Sequence, residues 1–183
     1  VDDILPGGVA EGVLKVGDIV VEIDGQFVTQ FIQLEEILDS SVGETLELII
    51  ERNGQELDAV IEVRNLHEIT PREYITFGDA VVHDLSYQQA RHLNQGVAGI
   101  YVANSGYVFG NAGIRRGTVI TAVGDVPVEN LDDFEAELAK LADRQRATIR
   151  FYTFDDPAAS RLGMFAMDRR WFPAERCLRD DVS

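Results

Sequence analysis

One segment of this chain occurs twice. Val9-Ala-Glu-Gly-Val-Leu-Lys-Val-Gly-Asp-Ile-Val-Val-Glu-Ile-Asp-Gly25 returns as Gly110-Asn-Ala-Gly-Ile-Arg-Arg-Gly-Thr-Val-Ile-Thr-Ala-Val-Gly-Asp125, one residue shorter before its second glycine. Each copy has a small-residue turn ending in Gly12 or Gly113, then an apolar residue, Val13 or Ile114. Gly17 or Gly117 opens a strand, Ile19 to Ile23 or Val119 to Val123, bounded by turn signals. Asp24-Gly25 and Gly124-Asp125 close it with tight turns. A repeat on this scale within 183 residues implies two small homologous units rather than one large domain.

The parallel continues downstream. Phe31, Leu34, Ile37 and Leu38 form one apolar helix face, and Leu131, Phe134, Leu138 and Leu141 form another. Asn130 is placed to cap the second helix, with Asp132 and Asp133 in its first turn. Leu46, Leu48 and Ile50 alternate along one strand, and Asn53-Gly54 turns it into Leu57 to Val63. Ala147, Ile149 and Phe151 repeat that alternation before a turn near Asp155-Asp156-Pro157 and a strand over Arg161 to Met167. Only the second unit has a front half. Tyr74 to Val82 reads as one strand kinked at Gly78, Ser86 to Gln89 as a capping box, and Gly99 to Ala103 as a further strand. The expected organisation is a partial module over 1–66, a linker over 67–73, a complete module over 74–170 and a tail over 171–183.

Composition narrows the chemistry. A net charge of −16 opposes binding to nucleic acid or anionic membrane surfaces. No apolar run is long enough to span a membrane, and the opening Val1-Asp2-Asp3 shows no signal-peptide pattern. The single Cys177 cannot form an internal disulfide, and His67, His83 and His92 lack metal spacing, so no metal or cofactor is expected. Cys177 with His83 or His92 is a conceivable nucleophile–base pair, but nothing in the sequence makes them converge. Trp171-Phe172-Pro173 is expected to pack under its own hairpin, with Arg169, Arg170, Arg176 and Arg179 pairing with carboxylates.

The segment Val9 to Val28, preceded by Pro6-Gly7-Gly8, resembles the central signature of PDZ domains in HtrA-like (Deg-type) serine proteases. Asp84-Leu-Ser-Tyr-Gln-Gln-Ala-Arg91, Gly99-Ile-Tyr-Val102 and Asp168-Arg-Arg-Trp-Phe172 resemble more narrowly the PDZ-like regions of fungal nuclear-mediator-of-apoptosis proteases and their bacterial relatives. The resemblance implies an α+β fold of two PDZ-like, partly open β-barrels or sandwiches, each capped by helices, with the first truncated at its N-terminus. It also implies a non-catalytic, regulatory region of a serine endopeptidase acting in protein quality control. Its partners would be extended or C-terminal peptides of substrate proteins and a protease domain in the same parent chain. No Gly-x-Ser-Gly-Gly nucleophile motif occurs in the sequence, so no catalytic residue is carried over.

Such modules take peptides by strand addition, so the resemblance nominates Phe77, Gly78, Asp79, Ala80 and Val81 as the receiving edge and Leu131, Phe134 and Leu138 as the facing helix. Asp79 stands where a peptide carboxylate would dock, and like charges about 4 Å apart repel by roughly 4 kcal/mol at an effective dielectric near 20. The alternative is a degenerate scaffold for homo-oligomerisation or protease-domain docking without peptide binding. A bacterial periplasm or cytoplasm is expected ahead of a nucleus.

Overall fold

The computed structural model describes residues 1–67, 69–171 and 173–179, which divide into two compact units, Val1–Thr70 and Pro71 onward. The chain is mixed α and β, and neither of its two sheets closes into a barrel.

Unit one holds β1 (Ile19–Ile23), β2 (Gln26–Phe27), α1 (Phe31–Ser40), β3 (Thr45–Arg52) and β4 (Gln55–Glu62), with sheet order β2-β1-β3-β4. Alternation along β3 buries Leu46, Leu48 and Ile50 against Leu14, Ile23 and Ala59, while Asn53-Gly54 turns β3 into β4. Asp18, 1% exposed, is held by three donors: Arg52 Nε and Nη2 at 2.7 Å each, and the Lys15 backbone N–H at 2.7 Å. The Arg52 fork lowers the Asp18 pKa to about 2. The counterpart pair in unit two is neutral, Thr118 opposite Thr153.

Unit two contains β5 (Glu73–Phe77), β6 (Ala80–Asp84), α2 (Tyr87–Leu93), β7 (Ile100–Asn104), α3 (Gly106–Asn111), β8 (Thr118–Val123), β9 (Val126–Pro127), α4 (Leu131–Ala139), β10 (Arg146–Thr153), β11 (Asp156–Ala166) and β12 (Glu175–Leu178). The sheet runs β11-β10-β8-β7-β6-β5-β12, with β9 also on β8. Both helix starts follow their capping residues. Ser86 and Gln89 form the capping box of α2, and Asn130 Oδ1 accepts from Asp133 N–H at 3.0 Å to open α4. Arg169 closes the other end of α4, donating to the carbonyls of Leu138 at 2.6 Å and Leu141 at 2.8 Å. Of the four tail arginines, this one therefore caps a helix rather than pairing with a carboxylate. A single core runs from Ile75 and Phe77 through Phe109 to Phe134 and Phe165.

The repeat provides an internal control. In unit two, Tyr101 of β7 lies opposite Val119, Ile100 lies opposite Ile120, and Val119 and Leu131 are buried. In unit one, α1 has no buried residue, and the equivalent Ile19 and Phe31 are 59% and 70% exposed. Leu34, Ile37 and Leu38 still pack on the unit-one core, so the expected helix face is there except for Phe31. The uncovered surface is what the β5-to-β7 half conceals in unit two.

Two consequences can be measured. Asp18 has a folded-state pKa below its ordinary value of 3.8, so its contribution is present above that value and is lost as pH falls towards about 2. Asp18→Asn should leave unit one less stable at pH 7 and remove that part of the acid dependence, read from amide exchange in β1 and β3 across pH. Phe134→Ala should cost about 3–5 kcal/mol in urea unfolding of unit two, whereas Leu34→Ala in half-buried α1 should cost less.

Candidate functional site

The nominated segment Phe77 to Val81 is not one strand. Phe77 ends β5, Ala80 opens β6, and Gly78-Asp79 is the two-residue turn between them. The expected kinked strand from Tyr74 to Val82 is therefore corrected to a hairpin. Both turn residues have positive φ, 54° at Gly78 and 63° at Asp79, as a primed turn requires. A Gly-Asp pair is compatible with either a kink or a turn, and tertiary packing decides. The Gly78 carbonyl accepts the N–H groups of Tyr107 at 2.9 Å and Val108 at 3.0 Å, at the start of α3. Gly106 approaches so closely that a Cβ there would lie 2.0 Å from the Asp79 carbonyl carbon. Asp79 itself is exposed.

The hairpin places β5 beside β6 on the side facing α4. Ile75 and Phe77 share the buried face of Ala80 and Val82, and the Phe77 ring meets Phe134 edge-on at 5.7 Å. Asp84, at the end of β6, accepts the Leu131 N–H at 2.6 Å, tying that strand to the start of α4. Burial pushes the Asp84 carboxyl above its ordinary pKa, and the Leu131 hydrogen bond works against that rise. Five of the nominated residues, Phe77, Ala80, Leu131, Phe134 and Leu138, do converge, as closed core packing. Val81 is half-buried in β6 between Thr76 and Asn104.

The strand beyond β5 is β12, which the sequence pattern does not reveal. It pairs antiparallel, with Glu175 opposite Thr76, Arg176 opposite Ile75, Cys177 opposite Tyr74 and Leu178 opposite Glu73. The Thr76 hydroxyl donates to the Glu175 carbonyl at 3.4 Å, and the Arg179 N–H donates to Arg72 O at 2.7 Å. Arg176 reaches three carboxylates: Glu73 of β5 through Nε at 2.5 Å, and Asp132 and Glu135 of α4 at 2.5 and 3.0 Å. Hydrogen bonds to these carboxylates hold the guanidinium pKa above its ordinary value.

No residue of β12 is buried. Ordering a backbone costs about 1–2 kcal/mol per residue, while each net hydrogen bond returns about 0.5–1.5 and each exposed ion pair about 0–1. These terms are of similar size, so β12 is held only marginally. The only sequence signals for this contact are Arg176 itself and the carboxylates of Asp132 and Glu135, one helical turn apart on α4.

The remaining candidates separate. Cys177 lies opposite Tyr74 in the ladder, and its proximity raises the phenol pKa. His83 contacts its neighbour's carbonyl, Asp84 O, at 2.7 Å and sits against Tyr101, while His92 stacks on Phe154. Trp171 is 72% exposed with Arg170 over its ring at 5.4 Å, so it does not pack under a hairpin as expected. Phe172 lies outside the described residues, as do Glu68 of the expected linker and residues 180–183 of the expected tail. Among the described residues, no group of three His, Cys, Asp or Glu is placed to hold a metal ion, and no helix is long and apolar enough to cross a membrane.

Comparison with known proteins matches residues 68–144 to the PDZ-like domain family and residues 1–52 to the PDZ domain family. The chain is 38% identical over 97% of its length to the pro-apoptotic serine proteases nma111 of Neosartorya fischeri and Aspergillus fumigatus. It is 36% identical over 94% of its length to NMA111 of Coccidioides immitis. The chain spans about 17% of the length of these curated relatives. They are proteins of fungi, and this overturns the expectation of a bacterial compartment. With two sheet-and-helix units, two family matches and this identity, the chain belongs to the PDZ family as a tandem PDZ region similar to that of the nma111 serine proteases.

Proposed function

We propose that this chain is the non-catalytic regulatory region of a serine endopeptidase and that unit two engages extended peptides by strand addition. The observation that supports this reading is the β12–β5 ladder, in which the sheet already accepts an antiparallel strand from a segment distant in sequence. The place of addition is then the outer edge of β5, because the edge of β6 is taken by β5 itself. β12 is itself followed by further residues, so this edge pairs with a segment that does not end in a free carboxylate. Peptide engagement would bias an attached protease domain only in so far as the peptide has different affinities for two states of the protein.

A second reading is a scaffold for assembly without peptide affinity. The exposed apolar side chains Ile19 and Phe31 of unit one favour it. Fluorescence anisotropy of the chain against a library of extended peptides separates the two. Saturable binding of internal segments is expected, with Kd on the order of micromolar, about −8 kcal/mol. No binding, together with concentration-dependent assembly in sedimentation, would transfer the function to the scaffold.

A further inference from the structure

The contact between β12 and its surroundings has the composition of a ligand in a site rather than of a core strand. It rests on a backbone ladder along β5 and on one cation set among Glu73, Asp132 and Glu135. These carboxylates come from two elements, β5 and α4, so the acidic pocket is built by the fold around the edge, not by one run of sequence. The occupant contributes no buried residue, so its departure would leave the unit-two core intact.

We propose that the outer edge of β5, with Glu73, Asp132 and Glu135, is a recognition site for an extended segment carrying an arginine, and that β12 is its resident, displaceable occupant. The inference rests on the strand-addition reading and adds the edge, the partner chemistry and the internal competitor. The partner runs antiparallel to β5 and places its arginine opposite Ile75, where Arg176 now lies. An arginine suits the pocket better than a lysine, because a planar fork can serve several carboxylates at once where an ammonium is a compact point charge. The net charge of −16 draws basic segments towards the chain in general, and the pocket selects among them. While β12 is docked, a partner sees the edge only in the fraction of molecules in which β12 is away; an edge free about one-tenth of the time weakens the apparent affinity about tenfold.

The test uses the full chain and a fluorescent synthetic peptide with the sequence of Pro173 to Arg179, serine replacing its cysteine. Cys177→Pro removes a ladder donor from β12, and Arg176→Ala, a milder change, removes its cation. Both variants should keep amide protection in β8 and β10 and lose it at Tyr74 and Thr76 of β5. Each should bind the peptide about tenfold more tightly than the wild type does, and binding should restore β5 protection. A peptide with glutamate in place of the arginine that corresponds to Arg176 should not bind. Equal affinity of wild type and variants, or peptide binding that leaves Tyr74 and Thr76 unprotected, would overturn the proposal while leaving strand addition elsewhere intact. Binding to none of the proteins, with the β5 amides free in both variants, would overturn the proposal and the strand-addition reading of unit two together.

Discussion

The two-residue turn at Gly78-Asp79 decides the architecture of unit two. Both residues take left-handed backbone angles, and the Gly106 backbone presses against the turn so closely that no side chain fits between. With the turn closed, β5 must lie alongside β6, and Ile75 and Phe77 must enter the space under α4. Everything peripheral follows from that placement. The edge on offer is that of β5, the strand that pairs with it is β12, and the carboxylate nearest the added strand on β5 is Glu73.

The internal repeat shows what this front half contributes. The two units share the turn-strand-turn-helix-hairpin order, so the same sequence pattern is seen with the front half and without it. With it, Val119 is buried and Leu131 enters the core that α4 shares with the strands; without it, Ile19 and Phe31 stand exposed. The polar cost of closing the sheet also differs. Unit one spends a forked Arg52–Asp18 pair where unit two places two threonines. A forked pair around a buried carboxylate ties stability to pH in a way that a threonine pair cannot.

Much of this was legible in the residues, for identifiable reasons. Periodicity located α1, α4 and the β3–β4 and β10–β11 hairpins because one face of each element packs on a core. Ser86 with Gln89, and Asn130, marked helix starts because capping is local chemistry within four residues. The Gly78 turn was misread as a kink because local sequence permits both, and the choice is made by α3, far along the chain. The six-residue α3 was missed, since its only apolar cue is Val108-Phe109. Strand β12 was missed because none of its residues is fully buried, and a strand without a buried face leaves no alternation to detect.

That last blind spot bears on function. Sequence patterning reports burial, and a segment meant to be exchanged cannot be well buried, since burial would fix it in place. Core strands such as β8 are therefore conspicuous in sequence, while an exchangeable strand is held by backbone groups common to every residue and by a few exposed charges. Such charges are screened by salt and are worth little singly, so the proposed recognition at this edge depends on Glu73, Asp132 and Glu135 acting on one guanidinium together. The backbone ladder sets orientation and register for any extended segment, and the three carboxylates decide which segment is preferred. On the proposed reading, specificity resides on α4 and β5, the same two elements that the Gly78 turn brings together.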